Sequence, residues 1–184
     1  GSVVTFNNGE DESAVLSGLT LTNGTDQGWL YVNSPVTMDN LRIIENHAPA
    51  VYFASGAGSP TLTNSIIVEN NSYGIIARGS AAPVIKNCLI ANNGSLGIEF
   101  DSDSGTLVNC TITENQADVH STGGIKITGS PSNFINIINT IIYDNDGHEI
   151  LFNVSSAGHG VNVTHSLVQG GLDDVYIWED SNGI

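Results

Sequence analysis

Seven carboxylate and imidazole side chains fall late in the sequence: Asp118 and His120, then Asp146, His148 and Glu149, then Asp173 and Asp174. Both groups are ligands of divalent cations, so the set has the chemistry of a metal site if folding gathers it. The competing reading is a solvated acidic rim, the ordinary fate of charged turn residues. Two runs, Asp101-Ser-Asp103-Ser-Gly105 and Asp144-Asn-Asp146-Gly147, set carboxylates two apart beside a glycine. Such runs present hard oxygens to calcium, although neither has the twelve-residue loop with its terminal glutamate. Calcium is thus a candidate cofactor at Asp101, Asp103 and Asp144, and no other cofactor is indicated.

Charge narrows the partners. The chain has 184 residues, with 4 Lys and Arg against 19 Asp and Glu, for a net charge of −15. Nucleic acid is disfavoured, because phosphate binding needs a basic face. Anionic membranes and polyanions are disfavoured for the same reason, whereas cations, neutral sugars and basic partners are not. No apolar run is long enough to span a bilayer. Two cysteines are too few for a disulfide framework. The length suits one domain with a real core. Gly1-Ser2 reads as a vector remnant. The final "YIWEDSNGI" offers no obvious polar cap, so the domain is expected to be a segment of a longer chain.

The elements that must position these residues come from a repeat. Asn, five residues, Asn recurs as Asn40/Asn46, Asn64/Asn70, Asn87/Asn93, Asn109/Asn115 and Asn139/Asn145. The first Asn returns after 24, 23, 22 and 30 residues, with weaker copies near Gly18 and His165. Three residues beyond it stands an aliphatic: Ile43, Ile67, Ile90, Ile112 and Ile142, with Leu21 and Val168 in the outer copies. Two residues before it stands another: Met38, Leu62, Ile85, Leu107 and Ile137, with Leu16 and Val163 outermost. A third segment holds pairs such as Val51 and Phe53, Ile75 and Ala77, Ile98 and Phe100, and Ile150 and Phe152. In the fifth copy, Ile125 and Ile127 fill those slots after an insertion within "QADVHSTGG".

Period-two alternation puts one side-chain set on one face of a strand. Three such segments per repeat, divided by Gly, Asn, Ser and Pro turns, close into a prism whose stacked coils share an aliphatic core. The reading is a parallel β-helix of about seven coils with three short strands each. A helical solenoid lacks its 3.6-residue period here, and a leucine-rich repeat usually has one strand per repeat. Asn suits the corners because it tolerates left-handed backbone, and its amide can bond its counterpart one coil away. The residue after the first Asn (Ser65, Cys88, Cys110, Thr140, Ser166) is mostly small and is expected to point inward. Cys88 and Cys110 then neighbour each other as packed thiols, with a disulfide the lesser alternative because parallel Cβ vectors suit that bond poorly.

The stretch "SPTLTNSIIVENNSYGIIA" (Ser59–Ala77) resembles the right-handed parallel β-helix repeat of secreted and cell-surface proteins in the pectate-lyase-like superfamily. "NVTHSLVQGG" (Asn162–Gly171) is similar to a late coil of such proteins. The resemblance implies a secreted or cell-surface location. It implies no one activity, because the fold hosts lyases, glycosidases, epimerases and adhesins. Lyases of this fold use Lys or Arg as base and carboxylate neutraliser. Here Arg42, Arg78, Lys86 and Lys126 fall at different offsets in their coils and are not expected to share a groove. Polygalacturonase-type glycosidases combine clustered Asp, Gly-His-Gly and Arg-x-Lys. Gly158-His159-Gly160 is present, the Arg-x-Lys is absent, and Asp173-Asp174 lies on the wrong side of the Gly-His-Gly. Trp29 and Trp178 sit in opposite end coils, and Tyr52 is expected to face outward. The slot four residues after the first Asn reads Ile44, Val68, Ala91, Thr113, Tyr143, which is no Thr ladder of the kind ice binding needs.

The expectation is an extracellular structural or binding module for carbohydrate or another surface protein, with end-to-end self-association open. A carbohydrate-active enzyme, or a remnant of one, is the alternative. Any specific function is expected in the irregular turns of the last three coils.

Overall fold

The computed structural model describes residues 2–24, 30–119, 122–128, 134–153 and 160–177. Each repeat folds into three short strands joined at sharp corners, and every strand pairs in parallel with its counterpart one coil away. Among the described residues this makes three parallel sheets of eight, seven and seven strands. Sheet A runs from Val4–Phe6 to Val175–Ile177, sheet B from Val15–Ser17 to Gly160–Thr164, and sheet C from Thr20–Thr22 to Leu167–Val168. The one helical element described is a 3-10 turn, Gly171–Asp174.

The alternation dictates the core. Met38, Leu62, Ile85, Leu107 and Ile137 stack on the inner side of sheet B, and Ile43, Ile67, Ile90, Ile112 and Ile142 on that of sheet C. Val51, Ile75, Ile98, Ile125 and Ile150 do the same on sheet A. All fifteen are at most 1% exposed, so the three faces enclose one continuous apolar column. Each such side chain contributes about 1.5–3 kcal/mol by leaving water.

The corners differ in one respect from the sequence reading. The first Asn of each pair takes the left-handed backbone, with φ between 49° and 55° at Asn40, Asn64, Asn87, Asn109 and Asn139. At the second corner the strained position is instead the residue before the second Asn: Glu45, Glu69, Asn92, Glu114 and Asp144. That frees the second Asn to turn its side chain into the core. The two ladders therefore separate. The outer one is exposed, with Asn87 donating to Asn64 at 3.0 Å, Asn109 to Asn87 at 3.1 Å and Asn139 to Asn109 at 2.7 Å. The inner one is buried.

The end coils lack the Asn pair yet keep register, Leu16 lying beside Met38 and Val168 beside Ile142. Gly18 and His165 take the left-handed corner there. Val163, expected inside, is 42% exposed, because sheet B ends with its strand. Val68 and Ala91 are outward but buried, adjacent short side chains flanked in their row by Ile44 and Thr113. Cys88 and Cys110 are buried free thiols whose Sγ atoms meet backbone carbonyls, Cys88 that of Lys86 at 3.2 Å and Cys110 that of Val108 at 3.4 Å. The neighbouring Cys110 thiol, with burial, pushes the Cys88 thiol well above its ordinary range.

Candidate functional site

The densest chemistry lies on the outer side of sheet A. Because successive residues alternate, the register Tyr31–Tyr52–Ile76–Glu99–Lys126–Leu151–Tyr176 forms one outward row. Tyr31 and Tyr52 stack with ring centroids 5.7 Å apart and planes 12° from parallel. Arg78, two residues along its strand from Ile76, sits beside Asp101. Its guanidinium bonds Asp101 Oδ2 at 2.7 Å and Glu99 Oε2 at 2.9 Å. Lys126 Nζ lies 2.8 Å from Asp118 Oδ2 and 3.8 Å from Glu99 Oε1. Glu99 thus bridges two cations from the coils on either side of it.

This corrects, for Arg78 and Lys126, the expectation that the cations share no groove, whereas Arg42 on sheet C and Lys86 on sheet B stand apart from them. Counted along the chain, Arg78 and Lys126 occupy different offsets. Folded, the insertion in the fifth coil resets the count, and both face Glu99. The insertion also brings Asp118 over the sheet: Asp118 N–H donates to the Thr122 carbonyl at 3.0 Å, and Thr122 N–H returns to Asp118 Oδ1 at 3.4 Å. Lys126 is consequently buried although it points outward. Burial works against the charge of Arg78, but Glu99 and Asp101 outweigh it and hold the guanidinium more firmly protonated than usual. Burial, reinforced by Glu99, raises the Tyr73 phenol above its ordinary range.

The residues singled out as metal ligands go to separate tasks. Asp118 is committed to Lys126. Asp146 is exposed and accepts the Ala117 N–H at 3.3 Å. The His148 ring stacks on Tyr176 at 4.8 Å. Asp173 and Asp174 lie in the 3-10 turn. His120 lies outside the described residues, as do Gly158, His159, Trp29 and Trp178. Of the calcium candidates, Asp101 pairs with Arg78, Asp103 N–H bonds the Gly79 carbonyl at 2.7 Å, and Asp144 N–H bonds Gln169 Oε1 at 2.6 Å. Among the described residues no three His, Cys, Asp or Glu side chains converge as a metal site.

Glu149 has a structural role that the sequence reading missed. In the inner ladder, Asn46, Asn70, Asn93 and Asn115 each donate from Nδ2 to Oδ1 of the next Asn at 2.8–2.9 Å, ending on Asn145. Each acceptor oxygen also takes a backbone N–H from the coil before. The seventh coil has Gly171 where the next Asn would stand. Glu149 fills the gap, its carboxylate accepting Asn145 Nδ2 at 2.6 Å and Asn145 N–H at 3.2 Å. The signal was present in the sequence. In the coils before, the position of Glu149 is held by Ala50, Gly74, Gly97 and Gly124. A Cβ at Gly74 or Gly97 would stand 3.1 Å or 2.9 Å from the Nδ2 of Asn93 or Asn115. Where the next Asn is missing, a long side chain fits.

Burial raises the Glu149 carboxyl above the ordinary range, against the two hydrogen bonds from Asn145 and with help from Asp174 and Asp144. A carboxyl raised in the folded state favours folding most when protonated. That contribution is complete below the ordinary carboxylate range and is lost as pH rises through the raised value. Glu149→Gln keeps an acceptor, which can serve both N–H groups as Asn Oδ1 does elsewhere in the ladder, and removes the charge. The variant is expected to melt at or above the native protein at pH 7, with the difference shrinking toward pH 4. Scanning calorimetry from pH 4 to 8 checks this. A difference between the two proteins that does not vary with pH would remove the titration argument.

A family model described as "Right handed beta helix region" matches residues 17–184. No curated protein and no solved structure matches the chain.

Proposed function

The chain belongs to the right-handed β-helix family, and from that premise we propose that it is an extracellular structural and binding module that contacts carbohydrate on the outer face of sheet A. The observation that carries this reading is the partly exposed Arg78–Asp101 pair beside Tyr52 on a rigid sheet. A guanidinium has five N–H donors in a fixed fork, so Arg78 has donors left for hydroxyls after meeting its two carboxylates. A second oxygen of Asp101 and the Tyr52 ring complete a polar surface with one flat apolar element. The strands beneath are pinned on both sides, so the groups are ordered before a ligand arrives and little entropy is lost on binding.

Binding is favoured over cleavage by the charge balance. Glycoside hydrolysis needs two working carboxyl groups on either side of the sugar. Here Glu99, Asp101 and Asp118 each face a cation. Lyase chemistry needs a cation free to act, and both cations on this face are paired.

A glycan array of neutral and acidic polysaccharides tests the proposal. Tyr52→Ala and Arg78→Ala should each weaken the positive signals by about tenfold or more, as loss of an aromatic or Arg anchor does. Arg78→Ala should also lower the melting temperature, because it leaves the buried Glu99 carboxylate with only Lys126 at 3.8 Å, so binding of each variant is read well below its own midpoint. No glycan binding, or binding indifferent to both changes, refutes the sheet A reading. Release of sugar products from the same panel would favour the carbohydrate-active enzyme instead.

A further inference from the structure

Sheet C presents a different outer surface. Ile66, Leu89, Thr111, Ile141 and Leu167 align coil on coil along its outward side. Ile66 is 38% exposed, Ile141 47% and Leu167 51%, and Tyr143 in the neighbouring row is 50% exposed. Ile44, Val68, Ala91 and Thr113 complete that second row, in which Val68 and Ala91 are buried. The outward Thr111 and Thr113 divide the face into two apolar patches, Ile66–Leu89 and Ile141–Tyr143–Leu167; soluble surfaces carry single apolar residues freely, but apolar patches aligned on one face mark a contact surface.

One edge of this face is charged. The left-handed corner that ends each strand carries Glu45, Glu69, Asn92, Glu114 and Asp144 on successive coils, all exposed. Successive coils are about 4.8 Å apart, so these carboxylates repel across short distances. The opposite edge is the neutral outer Asn ladder, and the one cation within the face is Arg42. Aligned apolar patches bordered on one side by a line of negative charge fit a partner that is apolar on one face and basic along its flank. A second copy of this chain is a poor fit, because its net charge is also −15.

The spacing selects the partner's form. An extended strand repeats same-face side chains about every 6.7 Å, out of step with the coils. An α-helix repeats its apolar stripe every 5.4 Å or so, close to the coil rise over a few turns. Five coils span about 19 Å, the length of a helix of about thirteen residues.

We propose that the outer face of sheet C is a docking surface for a basic amphipathic helix of a partner protein, laid along the solenoid axis with its apolar stripe on Ile66, Leu89, Ile141 and Leu167 and its Lys or Arg side chains along the Glu45–Asp144 edge. This surface is separate from sheet A, so failure of either proposal leaves the other standing.

The probe is a labelled fourteen-residue helical peptide of Leu and Lys, with two controls of equal length, oligolysine and a Leu/Glu helix. Fluorescence anisotropy with the intact chain should show the Leu/Lys helix binding at least about tenfold tighter than oligolysine, and the Leu/Glu helix not binding. Ile66→Gln with Ile141→Gln, which removes the apolar contact without changing the charge, should weaken the Leu/Lys helix by about tenfold or more, with melting changed little because both side chains point outward. Glu69→Gln with Glu114→Gln should weaken it less and flatten its salt dependence, since fewer charges are then screened. Equal binding of oligolysine and the Leu/Lys helix, or full binding to the Ile66→Gln/Ile141→Gln variant, would mean that only bulk charge attracts the peptide and would overturn the proposal. The peptide comparison decides the matter on the unmodified chain if a variant fails to fold.

Discussion

Asn93→Ala is expected to lower the unfolding free energy by about 3–5 kcal/mol, more than any exposed asparagine in the chain. Asn93 is fully buried. Its Oδ1 accepts Asn70 N–H at 3.2 Å and Asn70 Nδ2 at 2.9 Å. Its Nδ2 donates to the Ile67 carbonyl at 3.2 Å and to Asn115 Oδ1 at 2.9 Å. Alanine removes all four bonds at once. The Asn70 backbone N–H is left in the interior without an acceptor, the Ile67 carbonyl and Asn115 Oδ1 each lose a donor, and Asn70 Nδ2 keeps only the Ile43 and Val68 carbonyls; a buried unsatisfied group costs about 1–3 kcal/mol. The bonds act as one network, so the total is smaller than a simple sum. Urea unfolding followed by circular dichroism measures the loss. Asn92→Ala is the control: Asn92 is exposed with φ at 53°, so its replacement adds only the left-handed penalty of about 1 kcal/mol. If Asn93→Ala unfolds within 1 kcal/mol or so of Asn92→Ala, the inner ladder does not hold the coils together. Because each coil touches only its neighbours, the variant should also broaden the transition, as the stack loses cooperativity at the broken rung.

Gly124→Ala is expected to be at least as severe, for a steric reason. A Cβ there would collide with the Glu149 carbonyl oxygen and stand 2.9 Å from its carbon. Those atoms are backbone, and the Glu149 side chain is tied into the ladder above, so no flexible group can yield. The coils must part locally, at a cost of more than about 3 kcal/mol. Separation of these strands also releases the fifth-coil insertion, whose Asp118 holds Lys126 in place. Thermal melting and soluble yield report the effect. Gly18→Ala is the comparison, because its φ of 72° strains an alanine but nothing lies within 4 Å of the added atom. A Gly124→Ala protein that melts with the Gly18→Ala protein would show that the coils are less tightly apposed than their geometry requires.

Much of this molecule can be read along the chain. The inward positions at Ile43, Ile67, Ile90, Ile112 and Ile142 follow from alternation and a repeat length, and every one is buried. The small residues after the first Asn are buried as well, from Ser65 to Thr140. The two Asn columns bond coil to coil as their side-chain chemistry suggests. The candidate site was less legible. Its cations were visible but looked scattered, since offsets counted through an insertion do not report position on a sheet. Glu149 looked like a ligand because a carboxylate near a histidine resembles one. Only the missing seventh-coil Asn explains why it is there.

The division between the two has a physical cause. Strand alternation and left-handed corners depend on a residue and its immediate neighbours, and stacking repeats them once per coil. Composition and spacing therefore suffice to establish the solenoid, its core and its ladders. Charge pairing across the outer face depends on which side chains stand within a few ångströms after the chain has gone round once or twice. Arg78 meets Asp101 and Glu99 a full coil later, and Lys126 meets Asp118 through a loop that folds back over the sheet. The same holds for the apolar patches of sheet C, where Ile66, Leu89, Ile141 and Leu167 are unremarkable singly. They become a surface only when the coils lay them side by side.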